Sequence, residues 1–253
     1  MLGIAFDSWN FFDSIPIDTV PEDIIFEADA EIVNNPAFNP AKLPLFAVRN
    51  MIPVRLNRLI LESSFKLQMD YLESAGKQAE LFREAGIEKV MIDFDLPGIL
   101  SDCSRQKMLL KILQPLKGIM YDNNIELELL VRLPFSGMDE FISHAALFRQ
   151  KSMLGINYAI DLHIHEAGFD WDLPEEIPEL KFDISTINFI YDAALGNKIN
   201  PQNLKKIIDY MKSEGSKCDF FLCPAGNINF QSVQSDIFQW TELNKTLKER
   251  GSL

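Results

Sequence analysis

The segment AELFREAGIEKVMIDF, residues 79–94, joins the end of an amphipathic helix to a short buried strand. Apolar residues recur with helical periodicity over residues 56–85, and Gly86 follows where a left-handed residue commonly ends a helix. The apolar run at residues 89–94 comes directly after it and predicts a strand. A helix that leads at once into a strand is the repeating unit of a parallel α/β sheet.

The same alternation of apolar runs with helical patterns recurs along the chain. Further strands are predicted at residues 2–6, 23–27, 44–48, 125–131, 180–184 and 220–223, and another leads into Asp161. Further helices are predicted at residues 104–121, 138–151 and 201–213. Pro115 should kink or divide the first of these helices, because proline lacks the N–H that the helix requires.

These strand candidates, about seven or eight in 253 residues, fit one closed (β/α)8 barrel better than an open doubly wound sheet. No GxGxxG or P-loop motif follows any strand, so the nucleotide-binding folds lack their usual marker. Residues 10–41 carry four prolines and weak helical periodicity, and we expect an irregular or missing first crossover there. The prediction is an α/β fold, a single parallel TIM barrel formed by residues 1–253.

Charge, cysteine spacing and hydropathy exclude several classes of partner and site. The formal charge of −13, from 37 acidic and 24 basic side chains, would repel a nucleic acid. Cys103, Cys218 and Cys223 have no CxxC spacing, so we expect reduced core thiols and no structural zinc site. The N-terminus lacks a basic leader, and no apolar run reaches the roughly 18 residues of a membrane span. We expect a cytoplasmic protein without membrane partners, whose oligomeric state the sequence leaves open.

The run Asp161-Leu-His163-Ile-His165 is the strongest candidate for a metal site. Strand alternation would place the carboxylate and both imidazoles on one face, where a divalent ion can meet them. The alternative is that the histidines bond to backbone or solvent. The spacing also resembles the opening metal motif of amidohydrolase barrels, which needs further histidines that this sequence lacks after His165.

Residues 43–53 (LPLFAVRNMIP), Tyr71, residues 79–86 and residues 90–94 together resemble a known family. They are similar to the second-to-third-strand region of the sugar phosphate isomerase/epimerase group, within the xylose isomerase-like TIM barrels. The order of predicted strands also matches that group over nearly the whole chain. The resemblance implies a barrel that acts on a small carbohydrate at its mouth.

The resemblance further implies a divalent metal, Mn, Mg or Zn, held by two glutamates, an aspartate and a histidine from the later strands. Such an ion would bind two sugar oxygens while a glutamate moves a proton. Asp161 fits the family aspartate. Arg132 stands where the first carboxylate is expected, and Cys223 where the last glutamate is expected. The strand that should carry His-x-His reads Lys181-Phe182-Asp183.

Two readings of the site follow. In the first, the chain is a sugar (phosphate) isomerase or epimerase with a rearranged site, and in the second it is a degenerate barrel that binds a small ligand without turnover. For the first reading, the carboxylates Asp93 and Asp95 end one strand on the same face, suited to acid–base work, although a loop-capping pair is the simpler account. The candidates are Asp93, Asp183 and Arg132 for catalysis, Trp9, Asn50 and Asp95 for substrate binding, and Asp161, His163 and His165 for metal.

Overall fold

Eight parallel strands close into a barrel in chain order, with β8 returning to pair with β1. The computed structural model describes residues 1–6, 9–16, 24–39, 43, 45–133, 148, 154–163, 184–195, 199–213, 215, 217–226 and 228–249. The strands are β1 Leu2–Phe6, β2 Ile25–Asp29, β3 Ala47–Arg49, β4 Lys89–Asp93, β5 Glu126–Leu133, β6 Asn157–His163, β7 Ile184–Asp192 and β8 Asp219–Ala225. The predicted parallel barrel is confirmed.

Helices alternate with these strands. Those described are α1 Trp9–Ser14, α2 Ala30–Val33, α3 Val54–Ile60, α4 Phe65–Glu84, α5 Leu96–Leu100, α6 Cys103–Asp122, α7 Pro201–Ser213 and α8 Phe230–Glu249, with a 3₁₀ turn at Ala193–Leu195. The first crossover begins with a helix of only six residues, α1, in keeping with the irregular first unit predicted there. None of the helices in the described ranges has the length and apolar content to cross a membrane.

The end of α4 shows how the sequence fixes the join between a helix and the next strand. Gly86 has φ +76°, and its N–H donates to the Arg83 carbonyl, while Ile87 N–H donates to the Phe82 carbonyl. This pair of bonds is the Schellman termination, and the apolar side chains of Ile87 and Phe82 are both buried beside it. The predicted role of Gly86 is confirmed.

Two predicted helical features differ from the structure. The pattern at residues 56–85 forms two helices, because the chain turns at residues 61–64 and α4 restarts after Ser64. Pro115 does not divide α6, since it lies on the exposed face, where water can bond the carbonyl that lacks a donor. The helix α8 was not predicted. The helix predicted at residues 138–151 lies outside the described residues except for Phe148.

The strand predicted at residues 180–184 meets the described chain only at Ile184, and β7 runs from there to Asp192. Its inward side chains Thr186 and Asn188 are polar, which hides the strand from a search for apolar runs. Tyr191 and Asp192 end this strand. The thiols also differ from prediction in one case: Cys218 and Cys223 are buried, but Cys103 is exposed at the start of α6.

Side chains that point inward fill the barrel itself. Ala5, Ala47, Met91, Leu130, Ala159, Ile190, Phe221 and Cys223 form this inner core, separate from the larger core between strands and helices. Gly3 makes room for the Phe221 ring, because a Cβ at Gly3 would lie 2.6 Å from it. At the amino ends of the strands, Lys89 Nζ lies 2.9 Å from both Glu128 and Asp219 and closes the barrel with a buried ionic group.

Candidate active site at the barrel mouth

Inward-facing polar side chains gather at the carboxyl ends of the strands, the end at which TIM-barrel enzymes carry out their chemistry. They form two groups. The inner cluster is Glu27, Arg49 and Cys223, from β2, β3 and β8. The rim cluster is Asp29, Asn50, Asp93, Arg132 and Asp161, from the ends of β2 to β6. Asn188 on β7 adjoins the rim cluster through Asp161.

The inner cluster is fully buried. Arg49 donates from Nε to Glu27 Oε1 at 2.6 Å and from Nη2 to Cys223 Sγ at 3.3 Å. The second oxygen of Glu27 has no hydrogen-bond partner among the described residues. Burial raises the pKa of Glu27 to about 7, with Arg49 opposing the shift and the charge of Asp161 adding to it. Glu27 therefore exchanges a proton near neutral pH.

The rim cluster is organised around Arg132. Its Nε lies 3.2 Å from Asp93 Oδ2 and 3.6 Å from Asp161 Oδ2, and its Nη2 donates to Asn50 Oδ1 at 3.3 Å. Asn50 in turn donates to Asp29 Oδ2 at 2.7 Å. The Arg132 side chain is 46% exposed, so part of the guanidinium faces the open mouth. One arginine thus links four neighbouring polar side chains and stays accessible to a ligand.

Asp93 is a buried carboxyl group of the rim cluster. Burial raises its pKa, although the backbone N–H of Asp95 and the charge of Arg132 both act in the opposite direction. The backbone beneath it is held by the buried Asn57 of α3, which donates to the Asp93 carbonyl at 2.8 Å. Tyr71 of α4 donates to Asn57 at 2.8 Å and fixes that amide. The carboxyl position is therefore set by two helices as well as by β4.

Asp95 does not share the position of Asp93. The strand ends at Asp93, and Asp95 has a left-handed backbone with φ +60° and is exposed. It lines a cavity of about 400 Å³ on the helical side, together with Glu62 and Arg105. The same-face pair predicted from strand alternation is not formed, because the alternation stops where the strand stops.

The candidate metal residues are only partly described. Asp161 is buried, and its Oδ1 accepts from Asn188 Nδ2 at 2.8 Å. His163 lies two residues further along β6, on the same strand face, and is exposed at the strand end. His165 and the catalytic candidate Asp183 lie outside the described residues, and β7 begins at Ile184.

The described mouth does not fit a divalent metal. Within the described ranges, no group of three or more His, Cys, Asp or Glu side chains is arranged to hold a metal ion. One oxygen of Asp161 accepts from Asn188, and the other faces Arg132. The guanidinium already supplies positive charge between Asp161 and Asp93, where a second cation would be repelled.

The candidate Trp9 lies in α1 beside two buried phenylalanines. Phe11 and Phe12 are buried and pack against Phe6, with ring centroids 6.0 and 5.6 Å from it, so they cover the end of the barrel. Trp9 is half-buried in α1, and its ring centroid lies 5.2 Å from that of Phe12. Among these three residues, Trp9 is the one that is partly exposed.

The sequence interpretation missed Glu27, Arg49 and Asn188 as site residues. Glu27 lies between apolar residues of β2, and that interruption is a signal that could have identified it. Arg49 ends the short strand β3, and Asn188 lies in a strand with other polar residues, so neither interrupts an apolar run. Glu27 and Arg49 also carry opposite charges on neighbouring strands, which predicts an ion pair once the two strands are known to be adjacent.

The barrel is similar to several solved structures. The 3-keto-D-glucoside 4-epimerase of E. coli matches with a TM-score of 0.61 at 13% identity, over 96% of this chain and 98% of that chain. A xylose isomerase domain protein of Planctomyces limnophilus matches with a TM-score of 0.61 at 8% identity, over 98% of each chain. An L-ribulose 3-epimerase matches with a TM-score of 0.58 at 14% identity, over 94% of this chain and 86% of that chain.

These likenesses confirm the predicted TIM-barrel fold. At such identities they show the fold alone, and the site residues must be judged by their own geometry. No protein-family model matches the sequence, and no curated protein matches it.

Proposed function

We propose that this chain is an isomerase or epimerase of a small sugar, which it binds at the barrel mouth. One observation carries the proposal: a carboxyl group with a raised pKa, Asp93, lies 3.2 Å from a half-exposed guanidinium, Arg132, at the carboxyl ends of adjacent strands. An acid–base group beside a fixed cation is what proton transfer next to a carbonyl requires. That two structurally similar barrels are sugar epimerases supports the choice of substrate class.

The proposed reaction begins with removal of a proton from the carbon next to the sugar carbonyl. The Asp93 carboxylate accepts that proton, and the C–H electron pair moves to form an enediolate. Arg132 donates N–H groups to the oxygen on which negative charge develops. Return of the proton from Asp93 to the neighbouring carbon, with transfer of the hydroxyl proton from one enediolate oxygen to the other, gives the isomer. Delivery of a proton from water to the opposite face of the original carbon gives the epimer, and the proton held by Asp93 then passes to solvent.

The other rim residues hold this pair in place. Asp161 faces Arg132 from β6 and is itself oriented by Asn188, while Asn50 accepts from Arg132 on the β3 side. We propose Asn50 and Trp9 as contacts for sugar hydroxyls and the sugar face. Asp183, Asp95, His163 and His165 stay predictions from the sequence.

Charge favours a free sugar over a sugar phosphate. The two clusters contain four carboxyl groups, Glu27, Asp29, Asp93 and Asp161, and two arginines, whose ion-pair and hydrogen-bond partners lie within the clusters. A phosphate ester would meet an acidic mouth on an acidic molecule. Hydroxyl groups, by contrast, can donate to the carboxylates. The comparisons give no support to the alternative of a barrel that binds without turnover.

The test is solvent exchange of sugar hydrogens. The parent protein, incubated in D2O with a panel of ketopentoses and ketohexoses, should incorporate deuterium next to the carbonyl of at least one sugar, measured by NMR. Asp93→Asn should slow this exchange by about 100-fold or more, because the proton acceptor is lost. Asp122→Asn, an exposed change at the far end of α6, should exchange at the parent rate. Exchange of no sugar by the parent, or equal rates for Asp93→Asn and the parent, would refute the proposal.

A further inference from the structure

We infer that the Arg132 guanidinium is a built-in cation of the mouth, which neutralises Asp93 and Asp161 and keeps a divalent metal from binding between them. This inference rests on the proposed function only for the catalytic role of Arg132. In that role the guanidinium stabilises the negative charge that develops on the sugar oxygen. Its test measures metal binding and needs no turnover.

The strand order places Arg132 between the two carboxylates. Arg132 is opposite Asp161 in the pairing of β5 with β6, and the other edge of β5 pairs with β4, the strand that ends at Asp93. All three side chains project from the same inner surface. A single nitrogen, Nε, faces one oxygen of each carboxylate at 3.2 and 3.6 Å. The parallel pairing of these three strands therefore fixes the bridge.

The two carboxylates need this charge. Asp161 and Asp93 are both buried, and the charge of Asp161 is among the causes that raise the pKa of Asp93. Two carboxylates held close in a site of low polarity take up either a proton or a cation. Arg132 is the cation that the chain itself supplies, and its guanidinium lies between the two carboxylates.

Loss of Arg132 should expose a set of metal donors. Asp93, Asp161 and the side-chain oxygen Oδ1 of Asn50 all face the guanidinium and would lose that partner. His163 lies on the same face of β6 at the exposed strand end and adds an imidazole nitrogen. Carboxylate, amide and imidazole donors together suit Mn²⁺ or another divalent transition metal. Removing a side chain would then create metal binding where removal normally abolishes it.

The experiment is a Mn²⁺ titration of the metal-free full chain by calorimetry. We expect the parent to show no saturable site. Arg132→Met keeps the bulk of the side chain and removes its charge, and this variant should bind one Mn²⁺ per chain at least about tenfold more tightly than any residual binding by the parent. Arg132→Lys keeps a charge and should behave like the parent. The control Arg83→Met removes an exposed arginine from the last turn of α4 and should also behave like the parent.

Two results would overturn the inference. The first is one tight Mn²⁺ site in the parent that Asp161→Asn abolishes, which would show that the metal displaces Arg132. The second is a folded Arg132→Met, checked by circular dichroism, that gains no affinity; Arg132→Gln replaces it if the methionine variant does not fold. A chain that shows the expected metal pattern but exchanges no sugar hydrogen would refute the proposed function and leave this inference standing.

Discussion

Among single residues, Glu27 makes the stability of the barrel depend on pH in the neutral range. Its pKa of about 7 in the folded protein lies above the usual value of 4.5, because burial disfavours the charged form. The folded state therefore holds a proton that the unfolded chain releases. The stabilisation is complete below pH 4.5 and is lost as the pH rises through 7.

Because the stability of the parent should fall as the pH rises, Glu27→Gln should weaken this pH dependence. Between pH 5 and pH 8 the free energy of unfolding of the parent should fall by about 2–3 kcal/mol relative to that of the variant, which has no proton to lose. Urea unfolding at both pH values measures the difference. The control Glu73→Gln alters an exposed carboxyl of α4 and should keep the pH dependence of the parent. Equal pH dependence in Glu27→Gln and the parent would contradict the prediction.

At this scale the sequence analysis had named about half of the residues that the structure brings together at the mouth. Asp93, Arg132, Asp161 and Asn50 were predicted separately, from strand ends and from the family resemblance, and the structure brings them together. Their mutual contacts, and the whole Glu27–Arg49–Cys223 group, depend on which strands are neighbours and in which register. One residue of slip in a strand reverses the side that each side chain faces, so spacing along the chain cannot supply those contacts.

Among the elements, β1 can pack in the barrel because Gly3 has no side chain. A Cβ on Gly3 would lie 2.6 Å from the Phe221 ring and 2.7 Å from the Ile25 carbonyl oxygen of the paired strand. The ring can shift, but the carbonyl belongs to the β1–β2 ladder and cannot move without breaking it. Close strand packing therefore requires glycine at this position.

The prediction is that Gly3→Ala destabilises the protein by about 2–3 kcal/mol, through overpacking. Gly76→Ala provides the matched control, because Gly76 lies inside α4 with no atom within 4 Å of a Cβ at that position. That change should stabilise the protein by about 0.5–1 kcal/mol, since alanine is the better helix former. Thermal and urea unfolding of the two variants should thus move in opposite directions, and a neutral Gly3→Ala would show that the strand relaxes.

Elements with a purely local signal were predicted well. The strand at residues 2–6 and the helix at Pro201–Ser213 have the predicted bounds, because apolar runs and helix caps are local features. The predicted strand at residues 180–184 meets β7 only at Ile184. Barrel closure turns the polar residues Thr186 and Asn188 of β7 inward, where hydrogen bonds to Lys89 and Asp161 replace apolar packing. A polar inner face gives no apolar run for a sequence search to find.

On the scale of the whole molecule, the last helix secures the first strand. The Trp240 indole of α8 is buried and donates to the Gly3 carbonyl at 2.7 Å, across 237 residues of sequence. The closed barrel follows from the alternation of strands and helices, and the sequence predicted it on that ground. This contact between the two ends of the fold was not predicted, since it depends on α8, which the sequence interpretation missed.

The rates at which the two buried thiols react can show which end of the barrel opens first. Cys218 lies just before β8 at the ionic end, Cys223 lies near the mouth, and Cys103 is exposed on α6. A thiol reagent such as an aromatic disulfide should modify Cys103 at once and the other two only at the rate of local opening. Peptide mass spectrometry then shows which of the two ends of the barrel opens first. Immediate modification of Cys223 in the native protein would mean that the mouth opens locally while the rest of the barrel stays folded.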